Sequence, residues 1–446
     1  MRPSSGARGL ALLAGLTILV SACATTGAPS GGGGTGAADS GKGFVFLSTQ
    51  FTPVTEQEAM RKTILGNYKG AAVDFSTDME APVLDRITAE AKAGGEGQIG
   101  IIGLENGTFS NLVAAGYLED LTKIADKHKD AKIPDDMVSL GKFGTSQQLY
   151  IPWMQATYFL AINKKALQYL PSGADVNALT YDQLIAWGKN ITDKTGQKKI
   201  GLPGGTNSLL HRLLQGYFYP SYTGGLVTTY KAPEAAAMWG KIKELWQYTN
   251  PQSTTYAFMQ EPLQSEEVWI GFDHAARLIN VLKAKPDDFV AAPAPAGPKG
   301  RYYMSVVIGL GIPKTSPNKA GAEALIDYLL IPETQISTLR ENSFFPVIDV
   351  KLPDDLNKGL KLEADAVAKQ AKSSDAKVVP LPVGLGAKGG DFNKAMVDTF
   401  QRIVIKNEAI QTVLNEQAAL LQKAVTDAAA PCWGPDGKST GPCQVK

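Results

Sequence analysis

The segment from Gln98 to Leu121, QIGIIGLENGTFSNLVAAGYLEDL, decides the fold. It begins with an apolar run of strand length, Ile99 to Leu104, and continues through polar Glu105 and Asn106 into an amphipathic helix pattern. This order places the polar residues at the carboxyl end of a strand in a parallel sheet. Open α/β folds bind ligands at that edge. The segment therefore predicts an α/β fold with a binding site close to this turn.

Two units of the same kind precede this segment. The strand pattern Phe44 to Ser48 is followed by Gln50 and a helix pattern, and the strand pattern Ala72 to Phe75 is followed by Asp78 and another helix pattern. Three successive β-α units favour an open parallel sheet with right-handed crossovers. Because the carboxyl ends of parallel strands meet at one edge, the polar residues of the three turns are expected to line half of a cleft.

The regular succession of strand and helix patterns ends after Asp136. In the stretch Gln148 to Gln155, Pro152 cannot donate a hydrogen bond within a central ladder, so the strand is expected to break or to cross between layers. We interpret this stretch as a crossing from a first lobe to a second, because a body of about 400 residues exceeds a single core. Trp153 at the crossing is either hinge packing or a platform for a ligand, and the burial of large aromatics favours packing.

The second half of the chain carries the densest aromatic cluster, Tyr217 to Tyr222, followed by paired glycines. Pro220 and the glycines predict a surface loop there. Exposed aromatics in a loop favour binding, while a small hydrophobic cluster beneath the loop is the alternative. Further on, Glu267 to Ile279 shows another strand, polar turn and helix pattern.

The first residues have the features of an export signal. Arg2 and Arg8 precede an apolar run, Leu10 to Val20, that is too short to span a bilayer as a helix. Val20-Ser21-Ala22-Cys23 then resembles a bacterial lipobox, in which the cysteine receives the lipid. Residues 1–23 are therefore expected to be a lipoprotein signal with Cys23 as the anchor, and residues 24–42 a flexible Gly/Ser-rich tether.

The chain contains three cysteines, so lipidation of Cys23 would leave Cys432 and Cys443 as a pair. These two flank the turn-rich sequence WGPDGKSTGP, which can bring them together. In an exported protein this favours a disulfide. Two free thiols are the alternative, and a metal site would need partners that are not near in sequence.

The overall charge limits the partners. A formal net charge of +1 without long basic or acidic blocks makes nucleic acid an improbable partner. His128, His211 and His274 are far apart and lack metal-ligand spacing, so no metal site is expected. No cofactor is predicted.

Several stretches of the chain resemble the extracellular solute-binding lipoproteins of carbohydrate ABC importers, of the maltose-binding-protein type (solute-binding protein family 1). Besides the lipobox they are IIGLENGTFSNLVAAGYLEDLT, LYIPWMQATYFLAINKKAL, VWIGFDHAARLI, and GLGIPKTSPNKAGAEALIDYLLIPETQ followed by Phe345-Pro346. The resemblance spans Lys42 to Asp427. It departs at Glu105, where an Asp is common, and at the aromatic cluster, which has no fixed counterpart.

The resemblance implies a monomer with two α/β lobes, each an open sheet flanked by helices, joined by hinge strands. Solute would bind between the lobes, and the closed form would dock on an ABC permease at the membrane. The expected divisions are an amino-terminal lobe at 43–155, a carboxyl-terminal lobe at 156–303, a return to the first lobe at 304–348, and a helical segment at 349–446 mainly on the second.

A sugar-binding site combines polar partners for hydroxyl groups with aromatic faces for the C–H faces of the ring. The expected polar partners are Gln50, Asp78, Glu105, Asn106 and Gln155. The expected stacking residues are Trp153, Tyr217, Tyr219, Tyr222 and Phe272. Asp273 and Arg277 either contact the ligand or form an ion pair at helical i,i+4 spacing, and the ion pair is favoured.

Two other classes of function are also compatible with the sequence. A secreted carbohydrate-active enzyme could use Glu105 and Asp273 as acid and base across a cleft, although the chain lacks the common hydrolase and nucleotide-binding motifs. A lipoprotein that binds a non-sugar solute, such as a glycerophosphodiester or a peptide, is the other alternative.

Overall fold

The computed structural model describes residues 41–51, 54–205 and 208–446. The predicted signal segment, the lipidation site Cys23 and the tether up to residue 40 therefore lie outside the described residues.

The described residues form eleven strands in two sheets. In chain order the strands are β1 Phe44–Ser48, β2 Val73–Thr77, β3 Ile99–Glu105, β4 Ile151–Ala156, β5 Tyr158–Asn163, β6 Ile200–Gly201, β7 Ile270–His274, β8 Phe289–Ala292, β9 Arg301–Gly311, β10 Phe345–Pro346 and β11 Ala376–Pro380. One sheet has the order β10-β4-β9-β3-β1-β2, with β11 paired to β9, and the other has the order β6-β7-β5-β8. We call the part built on the β1 sheet the first lobe and the part built on the β5 sheet the second lobe.

The helices lie beside these sheets. They are α1 Val54–Ala59, α2 Glu80–Ala93, α3 Asn106–Ala114, α4 Thr122–Lys127, α5 Asp135–Leu140, α6 Tyr181–Thr195, α7 Leu210–Leu213, α8 Tyr219–Thr223, α9 Pro233–Trp246, α10 Gln260–Gln264, α11 Ile279–Ala284, α12 Lys319–Leu329, α13 Pro332–Asn342, α14 Lys358–Lys372, α15 Gly389–Phe400 and α16 Ile410–Asp427. The predicted α/β class with sheets flanked by helices is confirmed.

The first lobe begins with the three predicted β-α units. Strand β1 pairs in parallel with β2 on one side and with β3 on the other. This order brings the carboxyl ends of all three strands to one edge, as the sequence patterns predict. The interior residues of β3 are fully buried, which is typical of a parallel strand covered on both faces.

The chain passes between the lobes at two places. Strand β4 belongs to the first sheet and β5 to the second, with Thr157 between them. The pairing of β4 with β9 shifts register between Pro152 and Met154, so the break expected from the proline is a bulge within the strand. The return runs from β8 in the second sheet into β9, which joins the first sheet. The predicted residue limits of the lobes stay predictions.

Local sequence accounts for one helix start of the second lobe, whereas the prediction for its aromatic cluster fails. Thr180 and Gln183 form a capping box at the start of α6, and Trp187 is buried on the apolar face of this helix. The surface loop predicted for the aromatic cluster is wrong, because residues 214–223 are helical and residues 214–222 are buried. The helical segment runs without a break from α7 through a π-helical turn, Leu214–Phe218, into α8, and Pro220 stands directly after that turn.

The predicted disulfide joins Cys432 and Cys443. Within the loop it closes, the Asp436 carboxylate accepts hydrogen bonds from the backbone N–H groups of Leu226, Val227 and Thr228. These contacts attach the carboxyl-terminal loop to the second lobe. Among the described residues, no helix is long and apolar enough to cross a membrane.

Candidate functional site

A cavity of about 300 Å³ lies where the carboxyl ends of first-lobe strands face the second lobe. It is lined by Thr49, Gln50, Phe51, Thr55, Glu56, Glu105, Val306 and Phe344, and by Tyr158, Leu209, Arg212, Phe258, Gln260, His274, Ala276, Arg277 and Asn280 from the other side. This volume is at the small end of the range for ligand pockets, and the mixture of polar and aromatic side chains is typical of such sites.

The turn after β1 forms one part of the first-lobe wall. The Ser48 hydroxyl donates to the Gly103 carbonyl oxygen at 2.8 Å and accepts the Gln50 N–H at 2.9 Å, which holds the turn against β3. Thr77 donates to the Gln50 carbonyl oxygen at 2.8 Å. Phe51 then has a positive φ of 61°, an uncommon conformation for a residue with a side chain. The neighbouring strands therefore fix the backbone that presents the Gln50 side chain.

The turn after β7 forms part of the second-lobe wall. The Nδ1 atom of His274 accepts the Ala276 N–H at 3.2 Å, so Nε2 carries the proton in the neutral ring. Burial, together with the nearby Arg277 and Arg212, lowers the pKa of His274 to about 3. The imidazole is therefore uncharged at neutral pH and contributes a hydrogen-bond donor rather than a cation.

An ion pair connects the two walls. Arg212, which belongs to α7, donates from Nη2 to Glu105 Oε2 at 2.8 Å, and the two side chains are 14% and 25% exposed. Glu105 is the last residue of β3 in the first lobe. A charge-assisted contact of this kind is short and strong, and it also neutralises both charges inside the cavity.

The second guanidinium of the cavity lies over an aromatic ring. The Cζ atom of Arg277 is 4.5 Å from the centroid of the Phe258 ring, a cation–π geometry. Across from it, burial raises the pKa of Glu56 to about 7, with Arg277 acting in the opposite direction. Glu56 therefore changes charge near neutral pH. Together these groups offer donors, acceptors and flat apolar faces to a small polar solute.

Three of the residues predicted from sequence line this cavity: Gln50, Glu105 and Arg277. Two further polar candidates lie near it but face elsewhere. Asp78 is exposed and accepts the Met79 N–H at 2.7 Å at the start of α2. Asn106 is buried, and its Oδ1 accepts the hydroxyl of Tyr150 at 2.8 Å.

The two residues predicted at the crossing, Trp153 and Gln155, make contacts within the fold instead of lining the cavity. Trp153 is fully buried against Phe46 and Phe51, at centroid distances of 5.5 and 5.8 Å. Gln155 donates to the Pro346 carbonyl oxygen at 2.9 Å and lines a separate groove. Neither lines the cavity, since Trp153 belongs to the first-lobe core and Gln155 faces the other groove.

The predicted aromatic stacking residues of the second lobe are buried as well. Tyr217 accepts the Tyr158 N–H at 3.0 Å and lies edge-on to Phe272. Tyr219 stacks on Tyr230, and Tyr222 packs on Tyr181. None of the four predicted residues, Tyr217, Tyr219, Tyr222 and Phe272, lines the cavity. The helical segment 214–223 buries the three tyrosines, and strand β7 buries Phe272.

Asp273 lies in strand β7, so the helical i,i+4 geometry expected with Arg277 does not apply. Its carboxylate is fully buried and accepts the N–H groups of Met259 at 3.0 Å and of His274 at 2.8 Å. Burial raises its pKa to about 7, and Arg277 acts in the opposite direction. Asp273 holds the turn that carries His274.

Sequence reasoning missed several lining residues. His274 ends β7, and Glu56 lies in the helix after the Gln50 turn, so the rule that ligands bind at strand ends would have selected both. Arg212 and Phe258 follow no strand-end pattern, and their position depends on packing between distant segments. Among the described residues, no group of His, Cys, Asp and Glu is placed to hold a metal ion.

A sequence model of the bacterial extracellular solute-binding protein family matches residues 55–336. No curated protein sequence matches the chain. Among solved structures, maltose-bound MalE3 of T. maritima has a TM-score of 0.69 at 18% identity, covering 85% of this chain and 99% of that one. The GacH receptor of Streptomyces glaucescens has a TM-score of 0.66 at 16% identity, covering 86% and 99%.

UgpB of Mycobacterium tuberculosis, solved in complex with glycerophosphocholine, has a TM-score of 0.65 at 14% identity, covering 87% of this chain and 98% of that one. At these identities the structural matches establish a shared two-lobed fold. They do not identify the solute, which depends on the side chains of the cavity itself.

Proposed function

The chain belongs to the family of bacterial extracellular solute-binding proteins, and we propose that it captures a sugar or short oligosaccharide between its two lobes. The proposal includes delivery of this solute to an ABC import permease at the membrane. The observation that carries it is the cavity between the lobes, in which polar side chains from both sides surround aromatic faces.

The charges of the cavity favour a neutral, hydroxyl-rich solute. Glu105 compensates the charge of Arg212, so this pair can donate and accept hydrogen bonds without requiring a charged ligand. Gln50, Gln260 and Asn280 add amide groups that can both donate and accept. The aromatic side chains supply flat surfaces suited to the apolar faces of a sugar ring.

Binding without chemistry is part of the proposal. The matched family consists of binding proteins. The acid and base considered from sequence are also unsuited, because Asp273 is buried on two backbone N–H groups while Glu105 is paired with Arg212. Incubation with candidate sugars should therefore leave them intact, as read by chromatography of the products. Turnover of any sugar would contradict this part of the proposal.

A glycerophosphodiester is the second candidate solute. Two guanidinium groups, from Arg212 and Arg277, line the cavity, and guanidinium is well suited to phosphate oxygens. UgpB, which has the same fold, was solved with glycerophosphocholine.

The deciding experiment is a thermal-shift and calorimetry screen against mono- and oligosaccharides, amino sugars and glycerophosphocholine. A solute at a hundred times its Kd stabilises the folded protein by about 2.7 kcal/mol, which shifts the melting temperature measurably. We expect a sugar to give the largest shift. A response to glycerophosphocholine alone would select the second candidate, and no response to any of these solutes would refute both.

Two glutamines provide a matched test of the site. Both were selected from sequence as polar partners, but only Gln50 lines the cavity, whereas Gln155 contacts the Pro346 carbonyl oxygen. Gln50→Ala should weaken binding by about tenfold, the loss of a hydrogen-bonded contact of about 1.4 kcal/mol. Gln155→Ala should retain affinity. The reverse result would move the ligand away from this cavity.

Closure of the lobes on the solute is also proposed. The Thr157 hydroxyl, at one crossing, donates to the Met304 carbonyl oxygen of the other crossing at 2.8 Å. The two crossings are thus joined and can act as one hinge. Small-angle scattering should give a smaller radius of gyration with the bound solute, and an unchanged profile at saturation would exclude closure.

We further propose that the protein acts as a monomer outside the cytoplasm, anchored to the cell membrane by a lipid on Cys23. The support is the order of basic residues, apolar run and Val20-Ser21-Ala22-Cys23. Cys23→Ala should abolish lipid labelling and leave the chain unprocessed or released. Partition of this variant into the detergent phase like the wild type would contradict the anchor.

A further inference from the structure

Two short segments, residues 257–260 and 273–277, carry much of the second-lobe side of the cavity. Together they supply the lining residues Phe258, Gln260, His274, Ala276 and Arg277. Residues 257–259 belong to no helix or strand, so no ladder of backbone hydrogen bonds places the first segment. The spacing of the lining side chains therefore depends on the contacts that join the two segments.

One buried carboxylate makes a contact with each segment. Asp273 accepts the His274 N–H at 2.8 Å through Oδ1 and the Met259 N–H at 3.0 Å through Oδ2. Met259 stands between Phe258 and Gln260 in the chain. Asp273 itself is fully buried and is not among the residues that line the cavity. It thus joins both lining segments from inside the lobe.

A second connection comes from Arg277. Its Nη1 atom donates to the Ala257 carbonyl oxygen at 3.4 Å, and its Cζ atom lies 4.5 Å from the centroid of the Phe258 ring. This hydrogen bond is long and therefore weaker than the two that Asp273 accepts. Arg277 also lines the cavity, so a bound solute can compete for its guanidinium. Asp273 is the connection that a solute leaves intact.

We infer that Asp273 is a positioning residue of the binding site, which holds the 257–260 segment at a fixed spacing from His274 and thereby raises the affinity for the solute without touching it. This inference rests on the proposed function. A carboxylate suits the role, because each oxygen accepts a charge-assisted hydrogen bond and neither acts as a donor. A protonated carboxyl or an amide is a poorer partner for two N–H groups.

The charge of Asp273 links this role to pH. Burial raises its pKa to about 7; Arg277 and the two N–H groups act in the opposite direction, and Glu261 adds to the increase. The carboxylate is therefore mostly ionised above this pH and mostly protonated below it, so affinity should fall as the pH falls from about 8 to about 6. His274, whose pKa is about 3, stays uncharged over this range. Glu56, with a pKa of about 7, is a second group at the cavity that titrates.

Calorimetric titration of full-length protein at pH 6, 7 and 8 tests this link. The probes are maltose, cellobiose, di-N-acetylchitobiose and glycerophosphocholine, and the titrations use each one that wild-type protein binds. Glu56→Gln removes the other titrating group, and in this variant affinity should be at least about threefold lower at pH 6 than at pH 8. Adding Asp273→Asn should abolish this difference and give the lower affinity at both pH values. The amide keeps the shape of the side chain but presents an NH2 group to one of the two N–H donors.

Glu363→Gln is the matched control for the removal of a buried acid. Glu363 is also fully buried and its pKa is also raised by burial, but its charged neighbour is Lys283 and it does not line the cavity. Added to Glu56→Gln in place of Asp273→Asn, it should leave the difference in affinity between pH 6 and pH 8 unchanged.

Nuclear magnetic resonance gives a readout that needs no solute. Selective 15N labelling of the three histidines shows the backbone N–H of His274, which His274→Gln identifies by its loss. Because this N–H donates to Asp273, its chemical shift should titrate with a midpoint near pH 7, in wild type and in Glu56→Gln alike. The measurement decides the matter even if thermal melts show that Asp273→Asn does not fold.

Three outcomes would overturn the inference while leaving the proposed function intact. They are equal affinity at pH 6 and pH 8 in Glu56→Gln, a difference that survives Asp273→Asn or disappears equally with Glu363→Gln, and a His274 N–H whose shift does not titrate near neutral pH. Failure of wild-type protein to bind any of the four solutes would instead refute the proposed function, and the positioning role with it.

Discussion

Replacement of Trp153 by alanine should lower the stability of the first lobe rather than weaken the binding of the solute. The side chain is fully buried and contacts Phe46 and Phe51 at centroid distances of 5.5 and 5.8 Å. Truncating a core tryptophan to alanine removes its buried area and leaves a cavity, which together cost about 3–5 kcal/mol of unfolding free energy. Its Nε1 atom has no acceptor among the described residues. Trp153→Phe should therefore cost roughly half as much or less, since it keeps an aromatic ring and removes that donor.

Urea denaturation with linear extrapolation measures the change in unfolding free energy, and calorimetric titration measures affinity in the same samples. Trp269→Ala is the matched control, because Trp269 is only partly buried and stacks on Tyr169 at 6.1 Å. It should cost less than Trp153→Ala, about 1–2 kcal/mol. If Trp153→Ala stays within about 1 kcal/mol of wild type and loses affinity at least tenfold, Trp153 is a ligand contact and the packing argument is wrong.

Three further predictions concern stability. Thr157→Val removes the hydroxyl that joins the two crossings, and it should lower the unfolding free energy by about 1–3 kcal/mol in urea, whereas Thr157→Ser should not. Burial raises the pKa of Glu363 well above its usual value. The folded chain therefore retains a proton that the unfolded chain releases above its ordinary pKa of 4.5, so Glu363 contributes a decrease in stability as pH rises, of up to about 1.4 kcal/mol per unit. Glu363→Gln should flatten this slope in melts between pH 5 and pH 8, and an unchanged slope would exclude Glu363 as its source. Replacing Cys432 and Cys443 by serine should cost about 3 kcal/mol by loop entropy, and thermal melts in the absence of reductant that match wild type would contradict this.

The strand-end rule selected two residues that line the cavity. Gln50 and Glu105 line the cavity because parallel pairing of β1 with β3 places their carboxyl ends together. The same rule selected Asp78, which the structure leaves exposed at the start of α2. Strand ends define an edge, but the position of the opposite lobe decides which part of that edge becomes a cavity.

The burial of the aromatic residues was harder to predict from the sequence. Tyr217, Tyr219 and Tyr222 occur next to proline and glycine, which are typical of loops, yet they belong to a buried helical segment. Their hydrogen-bond partners explain the burial: Tyr217 accepts the backbone N–H of Tyr158, and Trp239 donates to the hydroxyl of Tyr219. Such partners come from distant parts of the chain, so local composition contains no sign of them.

The sequence by itself determined the α/β class, the three parallel β-α units, the crossing after Pro152 and the Cys432–Cys443 disulfide. Each of these follows from local periodicity, turn chemistry or cysteine spacing, which act over a few residues. Only the tertiary structure decided that Arg212 meets Glu105 and that Trp153 belongs to the core. Burial and the choice of an ionic partner depend on how distant segments pack, because desolvation is set by everything that surrounds a side chain and not by its neighbours in sequence.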